Sequence, residues 1–456
     1  MEKEQSKFTI LMFPWLAYSH VLPFLELSKR LSKRNFYIYF CSSSVNLDSI
    51  KNNVQKDLSS DASIDLIELH VPSLPQLPPK FHTTKNLPQN LFPILLKAFQ
   101  MSTSSFSEIL SNLKPDLLVY DFFQPWAPKL ASSQGIPSIY FATSGAAPFS
   151  FYYHMHTYGS SPAFPYQEIY LLDHEKVDVR APIEPIVKEA EEDFAFGNFR
   201  LSSGIVLIKS LNGIEGKYIE YLSVLSHKKV VPTGPLLQEF NEDDDENDEK
   251  SLEILQWLSE KDPFSTVFVC FGSETFLSNE QILEIAKGLE LCEMNFIWVV
   301  KFSTVCIEEE LLEGFLGRVK ERGLVLKEWA PQAKILSHSG IGGFVSHCGW
   351  SSTMESIYYG VPIIALPMKF DQPINARLVV EAGTGVEVER CENGQFCGEE
   401  VAKAISMVLT GKDGEDLRLR VRNLREKMKK EEEERVSEVV EELSLLCNKS
   451  KGGGGV

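Results

Sequence analysis

Short apolar runs alternate with amphipathic stretches along nearly the whole chain, and that rhythm constrains the fold more than any other feature. "FTILMF" (8–13), "FYIYFC" (36–41), "IDLIELH" (64–70), "DLLVYD" (116–121), "SIYFAT" (138–143) and "IVLIKS" (205–210) read as strands. Segments between them, such as "HVLPFLELSKRLSKR" (20–34), carry helical spacing. Strand–helix alternation predicts a parallel sheet covered by helices. The rhythm breaks at "VVPTGPLLQEFNEDDDENDEK" (230–250), where prolines, a glycine and an acid run mark a linker. It restarts with "TVFVCF" (266–271), "FIWVV" (296–300), "LVLKEW" (324–329), "GGFVSH" (342–347) and "PIIALP" (362–367). At 456 residues the chain exceeds one ordinary core. The reading is α/β, with two doubly wound, Rossmann-like domains facing one another. A charged segment from about 414 to 446 reads as a terminal helix with one apolar stripe, and the glycine run near the C-terminus as a disordered tail. There is no internal repeat of solenoid period.

Composition removes several classes of function. A net charge of −18 argues against nucleic-acid and anionic-membrane partners. No apolar run approaches the roughly 20 residues of a membrane span. The start, "MEKEQSKFTILMFPW", is charged and broken by Pro14, so it does not read as a signal peptide. Cysteines at 41, 270, 292, 306, 348, 391, 397 and 447 form no CxxC pair. Buried free thiols in a reduced, cytoplasmic protein are the expectation.

In open α/β sheets, ligands bind beyond the C-terminal strand ends, so the strand-to-helix loops carry the information. In the second half, Gly272-Ser273 follows one strand and Trp329-Ala330-Pro331-Gln332 another. His347-Cys348-Gly349-Trp350-Ser351-Ser352 follows a third, with Glu355 one turn into a helix, and Asp371-Gln372 opens the next helix. Singly, each has an ordinary structural reading: a core Trp, a satisfied His, serine caps. Together they suit one ligand. Trp329 would stack on a flat base, Glu355 would accept from ribose hydroxyls, and the helix start with His347, Ser351 and Ser352 would hold a diphosphate. Asp371 and Gln372 would bind the hydroxyls of a sugar.

In the first half, "FPWLAYSHVLPFLEL" (13–27) lacks the glycines that a dinucleotide-binding loop needs, which disfavours an NAD-dependent oxidoreductase. His20 stands instead where a helix begins, a position that favours the neutral ring a base requires. Asp121 ends a strand that should reach the same sheet edge, where a carboxylate would fix the tautomer of the ring. Taken alone, His20 could equally be a capping residue.

Residues 329–372, "WAPQAKILSHSGIGGFVSHCGWSSTMESIYYGVPIIALPMKFDQ", closely resemble the donor-binding box of plant family 1 UDP-sugar glycosyltransferases. The resemblance extends over nearly the whole chain, including "FVCFGSE" and "VVPTGPLL". It implies a GT-B fold: an acceptor-binding domain at 1–233, a linker at 234–250, a UDP-sugar-binding domain at 251–430, a terminal helix at 431–446 returning to the first domain, and a flexible tail at 447–456. It implies that His20 and Asp121 are catalytic. Trp329 would stack on uracil, Ala330 and Gln332 would lie near uracil and ribose, and Glu355 would hold the ribose. Ser273, His347, Gly349, Trp350 and Ser352 would hold the phosphates; Thr143, Asp371 and Gln372 would contact the sugar. Gln372 usually accompanies UDP-glucose as donor. Ser351 replaces the usual Asn, and Ser19 the usual Gly before the histidine.

The implied reaction inverts the anomeric centre, uses no metal or cofactor beyond the donor substrate, and needs no partner except a small-molecule acceptor. The expected state is a monomer. Stretches at 33–50, 120–128 and 213–223 resemble the branch that extends the sugar of a glycoside. Glucosylation of an aglycone hydroxyl, another UDP-sugar, or a catalytically silent binding protein are the alternatives. Trp15, Phe122, Phe123, Phe149 and "FYYHMH" (151–156) are candidates for the acceptor wall, or for core.

Overall fold

The computed structural model describes residues 7–57, 63–176, 195–238, 249–272, 275–300, 309–327, 330–391 and 394–452. It contains two sheets whose strands pair in parallel throughout. The first comprises β1 (Phe8–Phe13), β2 (Phe36–Ser42), β3 (Ile64–Glu68), β4 (Leu117–Tyr120), β5 (Ser138–Ala142), β6 (Ile205–Ile208) and β7 (Lys229–Pro232). Their order is β3-β2-β1-β4-β5-β6-β7. Its helices are α1 (Tyr18–Ser32), α2 (Ser44–Asp57), α3 (Phe92–Gln100), α4 (Thr103–Leu113), α5 (Trp126–Ser133), α6 (Ala146–Tyr158), α7 (Gly197–Leu201) and α8 (Asn212–Ser226). The second sheet comprises β8 (Thr266–Cys270), β9 (Asn295–Val300), β10 (Gly323–Lys327), β11 (Ile341–Ser346), β12 (Ile363–Ala365) and β13 (Gly385–Glu387), ordered β10-β9-β8-β11-β12-β13. With it go α9 (Glu249–Ser259), α10 (Asn279–Leu291), α11 (Glu309–Val319), α12 (Gln332–Ser337), α13 (Trp350–Tyr359), α14 (Gln372–Glu381) and α15 (Gly398–Leu409). A last helix, α16, runs Gly411–Gly452.

Every residue of β4, β5 and β6 is buried, as expected for strands covered on both faces. Each sheet reverses its winding once, and this sets the sites. In the first sheet the reversal lies between β1 and β4, paired so that Phe13 faces Tyr120. The residues that follow these two strands therefore emerge side by side, and they include His20 and Asp121. In the second sheet it lies between β8 and β11, with Cys270 opposite Ser346, so Gly272 and His347 emerge together. Adjacent loops leaving a reversal in opposite directions form the crevice where such sheets bind ligands.

The chain divides into two compact units: Met1–Phe164 with Asp178–Gln238 and Lys430–Val456, and Pro165–Val177 with Glu239–Lys429. The segment 165–177, which the sequence reading assigned to the first domain, thus groups with the second unit. Residues 229–232, read as the linker's approach, form edge strand β7; Val230 and Val231 are buried against β6. β13, only three residues long, gave no apolar run to find. The terminal helix continues to Gly452, past the expected end at 446, because Val439, Leu443 and Cys447 make one stripe into the first core. The acidic run at 242–248 and the tail at 453–456 lie outside the described residues.

One expectation is corrected. Cys391 and Cys397 form a disulfide, their Cα atoms 6.4 Å apart. The Arg390–Phe396 antiparallel bridge sets Cys391 and Cys397 side by side, within bonding reach. Cys41, Cys292, Cys348 and Cys447 are buried thiols outside any disulfide, and Cys270 is a half-buried one.

Candidate active and donor sites

In the first unit, α1 starts at Tyr18 and places His20 in its first turn. Nδ1 of the ring lies 2.8 Å from Oδ2 of Asp121. That carboxylate is fully buried and tightly held. Oδ2 also accepts from the Trp15 backbone N–H at 2.9 Å, and Oδ1 from that of Phe122 at 2.7 Å. The ring is 24% exposed and the carboxylate 1%, so the pair is open only on the histidine side. An acceptor-only partner on Nδ1 selects the tautomer that carries its proton there and its lone pair on Nε2. Thr143, expected at the donor sugar, sits with its hydroxyl 3.0 Å from the same Nδ1.

The turn after β4 is fixed by groups that sequence reasoning missed. Gln124 donates to the Phe13 carbonyl at 2.7 Å, tying the end of β1 to that of β4. Asn198, in α7, donates to the Phe122 carbonyl at 2.6 Å. Phe196 and Phe199 extend the aromatic cluster: Phe196 packs on Phe122 and stacks on Tyr153, and Phe199 packs on Phe149. The aromatics of "FAFGNF" (194–199) were the available signal. Trp15 is 1% exposed between Phe92, Phe99 and Phe123, which makes it core. Phe122, Phe123, Phe149, Tyr152 and Tyr153 are half-buried; Phe151 and His154 are buried.

In the second unit, β11 delivers His347 and the start of α13. The His347 ring lies against Gly272 and Gly349; a Cβ at those positions would come within 2.9 and 2.5 Å of ring atoms. Both glycines therefore make room for the imidazole. Burial, with Lys369 nearby, lowers the pKa of His347 to about 4, so the ring is neutral at physiological pH. Its Nδ1 is buried without a partner among the described residues. Cys348 adopts φ +61°, a left-handed conformation uncommon for a residue with a side chain, at the turn into the helix. The cap of α13 is Gly349, which offers no side-chain acceptor, so no side chain caps the first N–H groups of this helix.

Gln332, at the start of α12, donates to Glu355 at 2.6 Å and to Ser352 at 3.2 Å, bringing these three predicted residues together. Ala330 packs on the core beneath them. Trp350 is buried, and Ser351 is half-buried in the first turn of α13. Asp371 caps α14 and accepts from Asn375 at 3.2 Å. Gln372 is 5% exposed; its carboxamide oxygen accepts from the Met368 and Lys369 N–H groups at 3.0 and 2.9 Å, which leaves its NH₂ end for a ligand. Ser273 and Trp329 lie outside the described residues.

Residues 247–424 match the family model described as UDP-glucoronosyl and UDP-glucosyl transferase, and residues 6–238 match glycosyltransferase, N-terminal domain. The chain is 51% identical to mogroside IIIx synthase of Siraitia grosvenorii, over 96% of this chain and 97% of that protein. It is 43% identical to beta-D-glucosyl crocetin beta-1,6-glucosyltransferase of Gardenia jasminoides, over 96% of this chain and 99% of that one. Among solved structures, UGT73P12 of Glycyrrhiza uralensis, complexed with glycyrrhetinic acid 3-O-monoglucuronide, superposes with a TM-score of 0.85 at 24% identity, covering 98% of each chain.

Proposed function

The chain belongs to the UDP-glucoronosyl and UDP-glucosyl transferase family and is a UDP-glycosyltransferase of GT-B fold; from that premise we propose that it transfers glucose from UDP-glucose to a sugar hydroxyl of a plant glycoside. The observation that carries the mechanism is the His20–Asp121 pair at 2.8 Å. Nε2 of His20 removes the proton of the acceptor hydroxyl, and Asp121 stabilises the imidazolium formed. The oxygen attacks the anomeric carbon, the bond to UDP breaks on the opposite face, and configuration inverts. Charge growing on the leaving diphosphate is met by His347, Ser351, Ser352 and the start of α13. Ser273 is assigned to the same phosphates and Trp329 to uracil. Ala330 is placed near uracil, Gln332 and Glu355 hold the ribose, and Thr143, Asp371 and Gln372 contact the sugar. This scheme requires no metal ion, so turnover should survive a chelator.

The choice of a glycoside acceptor rests on relatives whose names describe action on glycosides, including the crocetin glucosyltransferase. The half-buried aromatics Phe122, Phe149 and Tyr153 supply the apolar contact a hydrophobic glycoside needs. Among the described residues no helix is long and apolar enough to cross a membrane, and we place the enzyme in the cytoplasm as a monomer. The test is a turnover assay read by mass spectrometry, with UDP-glucose offered alongside matched aglycones and their monoglucosides. Mass gain on the monoglucosides supports the reading. Gain on the aglycones alone overturns the acceptor assignment, and gain only with another UDP-sugar overturns the donor.

A further inference from the structure

Arg377 lies on α14, five residues beyond Gln372, yet it is 4% exposed. Its guanidinium is enclosed by carboxylates and an aromatic ring. Nη2 donates to both oxygens of Glu175, at 3.0 and 2.8 Å. Nη1 donates to Glu387 at 2.9 Å and to the carbonyl of Pro373, in the first turn of its own helix, at 3.2 Å. Tyr170 covers the guanidinium, which lies 5.0 Å from the ring centre. The Glu175 side chain is 3% exposed, and its Oε2 also accepts the Leu172 N–H at 2.8 Å, which holds the carboxylate in place.

Glu175 and Tyr170 come from the segment Pro165–Val177, far from α14 in sequence but packed in the same unit. Burying an ion pair contributes little net stability, because desolvation offsets most of the attraction. What it does impose is geometry. In one arrangement both carboxylate oxygens accept from Nη2 of the guanidinium, with only Nε of Arg377 left unpaired among the described residues, and any other arrangement leaves a charge buried without a partner. Here that arrangement reaches the Pro373 carbonyl, one residue after Gln372 and two after Asp371. The preceding loop is held from the other side: Arg390 donates to the Pro367 carbonyl, and Gln372 accepts from Met368 and Lys369.

We propose that Glu175 is a positioning residue for the donor sugar, acting through Arg377 to fix the first turn of α14 and with it Asp371 and Gln372. The inference rests on the reading of Asp371 and Gln372 as sugar contacts. It assigns a role in donor selection to a residue from the acceptor half of the sequence.

The test separates sugar contact from binding of the nucleotide. Steady-state kinetics would give KM for UDP-glucose and for UDP-galactose, and Ki for UDP, which lacks the sugar. Glu175→Gln is expected to raise the UDP-glucose KM about tenfold, narrow its preference over UDP-galactose, and leave the UDP Ki within about twofold. Gln372→Ala serves as the control on the premise and should raise the UDP-glucose KM. If it does not, the sugar-contact reading falls and takes this inference with it. If Gln372→Ala raises KM and Glu175→Gln leaves KM and preference as in the wild type, the inference alone is refuted. A parallel rise of KM and Ki in Glu175→Gln also refutes it, because the whole donor site would then have loosened. Should Glu175→Gln fail to fold, Glu175→Asp keeps the charge, withdraws it by one methylene, and reads the same KM-to-Ki ratio.

Discussion

Replacing Asp121 by Asn is nearly isosteric and removes one charge, which makes it the sharpest test of the proposed base. Oδ2 serves two donors, the Trp15 N–H and His20, and Oδ1 serves the Phe122 N–H. An amide must turn its NH₂ towards one side or the other. Facing Phe122, it sets donor against donor in a fully buried place but preserves the tautomer of His20. Facing Trp15 and His20, it meets the Trp15 N–H and draws a lone pair onto Nδ1, which moves the ring proton to Nε2 and abolishes the base. In the better case the imidazolium loses one charge-assisted hydrogen bond, about 1.5–3 kcal/mol. In the worse case the fraction of competent tautomer collapses as well. The better orientation lowers kcat by about 10- to 150-fold and the worse one by about 10³-fold, or ~4 kcal/mol in the barrier. The assay is initial rate at saturating UDP-glucose and acceptor, with KM for UDP-glucose and the melting temperature as controls. Retention of more than about a tenth of wild-type kcat by a folded variant would refute the assignment of Asp121, because no orientation of the amide supports both donors and the base.

The remaining predictions concern donor binding and stability. Gly349→Ala places a Cβ 2.5 Å from Nε2 of His347, so the ring must move; KM for UDP-glucose should rise about tenfold, and an unchanged KM would show that the ring does not hold the donor. Glu215 is fully buried, and burial outweighs its hydrogen bonds from Ser210 and Ala147, raising its pKa from 4.5 to about 7. The folded state therefore binds the extra proton between those values, and stability should fall as pH rises from about 4.5 to 7, by on the order of 3 kcal/mol for this group. Glu215→Gln should flatten that slope in urea unfolding between pH 5 and 8, whereas an identical slope would contradict it. His347 acts in the opposite sense: its pKa is lowered to about 4, so stability is lost as pH falls from about 6.5 towards 4. Leu443→Ala, deep in the first core, should cost about 2–5 kcal/mol by chemical denaturation; a loss under about 1 kcal/mol would mean that α16 is only loosely docked.

Much of this was legible in the sequence because strands buried on both faces leave continuous apolar runs. Phe8–Phe13 matches its run residue for residue. The reversals of the sheets turn strand ends into sites and bring His20 and Asp121 together, but in the sequence it was the family resemblance that settled their pairing. Where the physics is non-local, the sequence is silent. Lys229–Pro232 becomes a strand only because β6 offers it an edge. Nothing near Arg377 announces that its partner is Glu175, since that ion pair exists only once both segments are buried. The Cys391–Cys397 bond depends on a turn whose closure no spacing rule encodes. Trp15 illustrates the converse: an aromatic beside a catalytic loop satisfies a pocket and a core equally well until its neighbours are known.

The path of α16 has a consequence for biosynthesis. Val439, Leu443 and Cys447 complete the core around the first sheet, yet they are translated only after the second unit. The unit translated first is therefore the unit finished last, and its apolar gap stays open while the whole second unit is being made. Contacts this distant in sequence close slowly, so the nascent chain presents a hydrophobic seam to chaperones throughout elongation. A chain arrested before residue 430 should remain protease-sensitive in the first unit, and release of the terminal helix should be the event that seals it.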